Sequence, residues 1–216
     1  MMIIMPASYV AAESNGMQPP DPDFLEETPE DGTTPLDPDE AEGLIPELLT
    51  RGELNAWEQT NILKAEQWAF GRRIVDVLTS DFAVELHRRM FNETWSWAGT
   101  FRRSDKNIGV HWPNIPQGLQ DVLGNARYWL ENTTYSLDET AARLHHRLVS
   151  IHPFPNGNGR HGRLVADLLL WNRRVERFSW GRGRSATGDE TRKAYLAALR
   201  EADQGNLEPL LRFVRS

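Results

Sequence analysis

The sequence contains no cysteine. That excludes disulfides and thiolate zinc sites, and it fits a reducing cytoplasm. No run approaches ~18 apolar residues, so no transmembrane helix is expected. The opening MMIIMPASYV has no basic residue ahead of its short apolar stretch and makes a poor signal peptide. Met2, Met5 and Met17 offer later starts. Lysine and arginine are absent from residues 1–50, which hold 12 Asp and Glu. The remainder has 19 acids against all 24 bases, 21 of them arginine. An acidic arm therefore precedes a mildly basic body. Arginine's planar fork suits phosphate, although composition alone describes an ordinary solvated surface. No internal repeat is present. At 216 residues and 39% hydrophobic content, the chain fits one domain with a real core.

Residues 1–36 are rich in Pro, Asp, Glu, Gly and Thr and read as loosely draped or disordered. The core is expected to begin near Leu44 to Leu54. Few breakers interrupt 53–78, predicting a long helix with Trp57, Ile62, Ala65 and Trp68. Ser80 is placed to cap a second helix in which Ala83, Leu86, His87 and Met90 share a face. Between 97 and 116 glycine and proline breaks and short alternating pieces predict a small hairpin or extended flap over 100–111. Helix resumes over 117–131 on Leu119, Val122, Leu123, Ala126 and Leu130. Ser136 and Glu139 form a capping-box pair opening a helix that stops at His152, because the residue before proline avoids helical geometry. After a loop, 159–172 is helical again. Thr187 and Glu190 box a last long helix ending near Gly205. The expectation is an all-α body with one short β-hairpin.

The loop is the informative part. In HPFPNGNGRHGR, residues 152–163, two glycines and two asparagines separate two helical segments. Glycine is costly within a helix and cheap in a tight loop, so the stretch is built to a demanding shape. Consecutive N–H groups in such a turn form a nest for an anion, and the next helix adds its dipole and unsatisfied donors. Arg160 and Arg163 lie in its first turn and can fork phosphate oxygens. A P-loop is excluded: there is no Lys-Ser/Thr and no strand leads in. His152 ends the preceding helix, where a neutral imidazole can take a hydroxyl proton. A structural histidine is the plainer alternative. A metal cluster of His145, His146, His152 and His161 is disfavoured, since the first two point to different faces and no acidic partner is nearby.

The twelve residues resemble the Fic motif, His-Pro-Phe-x-(Asp/Glu)-Gly-Asn-Gly-Arg-x-x-Arg, departing only at Asn156. WAGTFR, 97–102, is similar to the segment leading into that family's flap, and 195–213 to its closing helices. The resemblance covers roughly 50–216 and divides the chain into an arm, 1–48, and a Fic domain, 49–216. The stretch 34–59 resembles a subgroup called mobile mystery protein B, bacterial proteins that sit beside a small helix-turn-helix partner. The resemblance implies a protein adenylyltransferase that moves AMP from ATP to a Ser, Thr or Tyr hydroxyl of a target protein. His152 would be the base and Phe154 a core anchor. Gly157, Asn158 and Gly159 would cradle the α and β phosphates, and Arg160 and Arg163 the β and γ phosphates. The flap residues Lys106, Asn107, Ile108 and Gly109 would pair with the target backbone. Tyr195 would lie near the nucleotide base, with Asp203 where an Asn is common. Mg²⁺ would be the cofactor, and Asn156 would take the place of the acid that holds it. Glu42, followed by Gly43, is the nearest match to an inhibitory glutamate that pairs with the second motif arginine, although Pro38 replaces its Ser/Thr. The alternative is a toxin-like, nucleotide-binding partner protein with weak or altered catalysis. Nucleic-acid binding rests only on RRVERFSWGRGR, 173–184, and is not expected. Neither is a membrane; a cytoplasmic location is.

Overall fold

The computed structural model describes residues 35–48, 50–71, 76–183 and 187–216, so the expected loose arm over 1–36 lies almost wholly outside the described residues. A single helical turn, α1, Pro38–Ala41, comes first. The long α2, Arg51–Phe70, starts from a capping box the sequence reading did not use. Thr50 accepts from Glu53 N–H, and Glu53 reaches back to Thr50 N–H. Its predicted extent to residue 78 is corrected: it ends at Phe70 with Gly71 as cap. Asp76 instead accepts from Leu78 N–H in a turn, and Thr79, not Ser80, caps α3, Ser80–Phe91. The buried face of α2 is Leu54, Glu58, Asn61, Ile62, Ala65 and Ala69. Trp57, expected inside, is 45% exposed and donates its indole N–H to Glu93 C=O.

A 3₁₀ turn, Trp112–Asn114, leads into α4, Ile115–Glu131. Then come α5, Leu137–Ile151, and α6, Asn158–Asn172. The chain closes with α7, Gly188–Asp203, and α8, Glu208–Val214. The predicted capping box is present at Thr187 and Glu190; at Ser136 only half of it forms, Ser136 accepting from Glu139 N–H while the Glu139 carboxylate takes Arg143. Helix α5 packs on both α4 and α6, and Ala141, Leu144, Leu148 and Ile151 are buried as the spacing predicts. The His152–Arg163 loop therefore emerges from the middle of the bundle.

Among the described residues there is no strand, only an isolated antiparallel bridge, Leu44–Trp95. The expected β-hairpin over 100–111 is thus corrected to an irregular flap. The physical reason is Arg102, whose fully buried guanidinium ties two flap carbonyls, Ser104 and Val110, to two at the end of α5 instead of leaving them to pair with each other. It donates to Ser104 C=O at 2.6 Å, to His152 C=O at 2.7 Å, to Val110 C=O, and to Ile151 C=O at 3.4 Å. The end of the acidic arm joins the body rather than trailing from it. Leu48 enters the core, and Asp37 and Glu40 both hold Lys106 Nζ, at 2.8 and 2.6 Å.

Candidate functional site

His152 adopts φ 53°, ψ 62°, a left-handed cap at the end of α5, where the following Pro153 also bars the helix from continuing. Its side chain is 6% exposed. Burial, then the positive Arg102 and Lys106, push its pKa down to about 4, against a backbone hydrogen bond at Val149. The imidazole is therefore unprotonated at neutral pH and able to accept a proton. The flap lies directly over it. A Cβ on Gly109, φ +105°, would stand 2.8 Å from His152 Cβ and 2.6 Å from Arg102 Nη2, so only glycine lets the flap approach this closely. Val110 N–H donates to Ile151 C=O and Arg102 N–H to Pro153 C=O. Asn107 and Ile108 face solvent, while the Lys106 ammonium is buried against the two arm carboxylates.

The loop is braced from within. Asn158 accepts from Phe154 N–H at 2.9 Å and donates to Phe154 C=O at 2.7 Å. Its side chain thus shapes the nest, leaving only its backbone N–H to face an anion. Phe154 is fully buried, as expected. Gly157 caps α6 at φ 78°, and a Cβ there would fall 2.4 Å from Phe91. Gly157→Ala therefore combines left-handed strain with overlap and is expected to cost about 3 kcal/mol. Thermal and urea unfolding would check this; a loss below 1 kcal/mol would contradict the rigid cradle.

Arg160 extends across the nest. Nη1 pairs with Glu58 at 2.5 Å, Nη2 lies 3.4 Å from Asn156 Oδ1, and the guanidinium sits 5.0 Å above the Phe91 ring. Glu58 is buried, its other oxygen accepting from Trp95 Nε1 at 2.7 Å. The sequence reading missed Glu58, yet a signal was available: a carboxylate on the apolar stripe of Leu54, Ile62 and Ala65 needs a buried cation. Arg163 donates to Gly159 C=O and lies 5.3 Å above the Tyr195 ring. Tyr195 bonds to His145 Nε2 at 2.9 Å and is pushed up to about 12 by burial. It is a floor beneath Arg163 and Gly159. Asp203 pairs with His146 at 2.8 Å, so the acidic partner the sequence reading did not find comes from α7.

Two expected features are not brought together. Glu42 is exposed at the end of α1, and among the described residues no contact joins it to Arg163. Asn156 Oδ1 already accepts from Gly157 N–H at 2.5 Å and faces Arg160. Nor do the described residues hold any cluster of three or more His, Asp or Glu suited to a metal. A neutral oxygen surrounded by donors is a poor fit to a protein-held Mg²⁺, which is usually bound through one or two carboxylates.

Fold and site define a helical domain with a glycine-rich turn at a helix N-terminus, an unprotonated histidine ending the helix before it and a flap above. Residues 77–170 match the model of the Fic/DOC family. Over that stretch, a little under half of its length, the chain is similar to the Fic/DOC family. It is 33% identical over 143 residues to Protein adenylyltransferase fic-1 of Caenorhabditis elegans, covering 64% of this chain and 27% of that protein. Protein adenylyltransferase Fic of Aedes aegypti is 32% identical over the same shares. The chain thus spans about a quarter of the length of the curated relatives it matches. Among solved structures, C. elegans Fic-1 (aa134 - 508) superposes with TM-score 0.62 and 27% identity, over 82% of this chain and 51% of that one. Bartonella tribocorum BepC with bound AMPPNP shares the fold at TM-score 0.61 and 17% identity, over 78% of this chain and 88% of its own. No described helix is long and apolar enough to cross a membrane.

Proposed function

We propose that the chain transfers AMP from ATP to a Ser, Thr or Tyr hydroxyl of a target protein. The observation that carries this reading is a buried, unprotonated His152 between the Gly157–Arg163 nest and the Gly109 end of the flap. The relatives named protein adenylyltransferase support it. A target segment lies along the flap at 106–109 and presents its hydroxyl to His152. The hydroxyl oxygen attacks the α phosphorus as His152 takes its proton. The bond from the α phosphorus to the bridging oxygen breaks, and pyrophosphate leaves. Gly157, Gly159 and the Asn158 N–H hold the α and β phosphates, while Arg160 and Arg163 take the growing charge beyond them. Phosphate charge arriving beside His152 also raises its proton affinity when it must act as base. A target protein, a small helix-turn-helix partner and a cytoplasmic setting belong to the same proposal.

A second reading, nucleotide binding with weak catalysis, is favoured by the neutral Asn156 tied to Gly157 and Arg160. One experiment separates the two: lysate incubated with the chain and ATP labelled on either the α or the γ phosphate. Protein labelling from α alone is expected. Labelling from γ alone overturns AMP transfer in favour of phosphate transfer, and no labelling favours the second reading.

A further inference from the structure

His87 belongs to α3, 65 residues before His152 and outside the loop motif, and it is completely buried. Its ring lies 3.7 Å from the Phe154 ring, stacked at 15°, with Phe91 and His161 closing the sides. Both nitrogens are committed. Gly99 N–H donates to Nδ1 at 3.0 Å, so Nδ1 carries no proton. Nε2 lies 3.0 Å from Asn156 C=O, which can only accept, so Nε2 carries the proton and donates. The residue is a neutral imidazole of one defined tautomer. Burial, reinforced by His161 and Arg160, holds its pKa well below the ordinary value and keeps it so.

The acceptor is what gives this bond a role. Asn156 C=O and Gly157 N–H belong to one peptide unit, and no peptide bond in the described chain is cis. In a trans peptide the two groups point in opposite directions. Drawing the carbonyl into the core therefore aims Gly157 N–H away from it. That N–H now meets Asn156 Oδ1 at 2.5 Å, the place an incoming anion's oxygen would take. Glycine offers little resistance to rotation of this peptide, because both signs of φ are open to it. Beyond the local Asn156 side chain, which moves with the loop, a group from the core must fix the plane, and His87 is bonded to its carbonyl.

We propose that His87 is a positioning residue for phosphate binding: through Asn156 C=O it locks the 156–157 peptide with Gly157 N–H facing the nucleotide. Gly99 N–H, next to the entry of the flap, sets the tautomer, so flap root and phosphate nest share one side chain. The role in transfer rests on the AMP-transfer reading; the role in anion binding does not.

Three substitutions separate this from simple packing. His87→Phe keeps the ring and loses both bonds. His87→Asn places an acceptor near Nδ1 but reaches no donor to Asn156. His87→Gln places a donor near Nε2. All three disturb the core, so stability loss alone does not distinguish them. The readouts are ADP affinity by calorimetry, the ¹⁵N–¹H shift of Gly157 on adding ADP, and kcat for AMP transfer. In the wild-type chain Gly157 is expected to shift strongly. His87→Phe and His87→Asn should bind ADP about tenfold more weakly, lose the Gly157 response, and drop kcat about a hundredfold. His87→Gln should recover most of both. Equal behaviour of the Asn and Gln variants, or wild-type ADP binding and Gly157 response in folded His87→Phe, overturns the proposal. So does a wild-type Gly157 that ignores ADP. If wild-type chain binds ADP through Gly157 yet transfers no AMP, the proposed transfer falls and this inference stands.

Discussion

Replacing His152 by alanine is expected to lower AMP transfer about a thousandfold while ADP affinity stays within a few-fold. The two effects separate because the residue contributes two different things. Its backbone shapes the loop: the left-handed cap and the carbonyl held by Arg102 survive in alanine. In the proposed reaction its imidazole alone would supply the base. Because burial keeps that ring unprotonated down to about pH 4, the wild-type kcat/KM should be flat from pH 8 to about pH 5 on account of this group. An ordinary histidine base would already lose activity near pH 6.5. Initial rates with α-labelled ATP across that range check both statements. A variant retaining more than a tenth of wild-type rate would remove His152 from the chemistry.

The second large effect is acid unfolding. His87, His145, His152 and His161 are buried and held low chiefly by burial, to about 3 for His145 and about 4 for His152 and His161. Once unfolded, each titrates near 6.5. Below that value the unfolded state binds these protons and the native state does not, so stability falls with pH. Asp167 acts in the opposite sense. Burial raises it to about 6, so the native state takes its proton first, and stability gains as pH drops from there. Four protons against one leave a slope of about 4 kcal/mol per pH unit between pH 5.5 and 4. A chain with about 7–10 kcal/mol of stability, within the usual range, then reaches its unfolding midpoint between about pH 4 and 5. Tryptophan fluorescence and far-ultraviolet circular dichroism should show one cooperative loss there. A chain still folded at pH 3.5 would contradict it.

What could be read in the sequence was local. Ser136 with Glu139 and Thr187 with Glu190 lie three residues apart, and the helices begin where those pairs place them. The stop at His152 followed from Pro153, and the nest from the glycines. The missed features depend on distant parts of the chain. Glu58 meets Arg160 across 102 residues, and His87 meets Asn156 across 69. Periodicity marked His87 as facing inward without indicating a partner. Trp57 was misplaced because a large apolar side chain at helical spacing looks like core, although its indole N–H finds Glu93 at the surface. The flap looked like a hairpin because alternation cannot reveal that one buried guanidinium takes the carbonyls.

That guanidinium has a kinetic corollary. Segment 103–110 has no ladder that could fray one rung at a time, since Ser104, Val110, Ile151 and His152 all lean on Arg102. Arg102 is accordingly a latch shared by the flap and the loop that carries His152, with Lys106 on Asp37 and Glu40 a second hold. Arg102 N–H and Val110 N–H, bonded to Pro153 C=O and Ile151 C=O, should therefore exchange with deuterium together, while the exposed residues 107–109 exchange according to their own exposure. In the proposed transfer, a target strand pressing on the flap would pull on the same latch, so docking and alignment of His152 would become one motion.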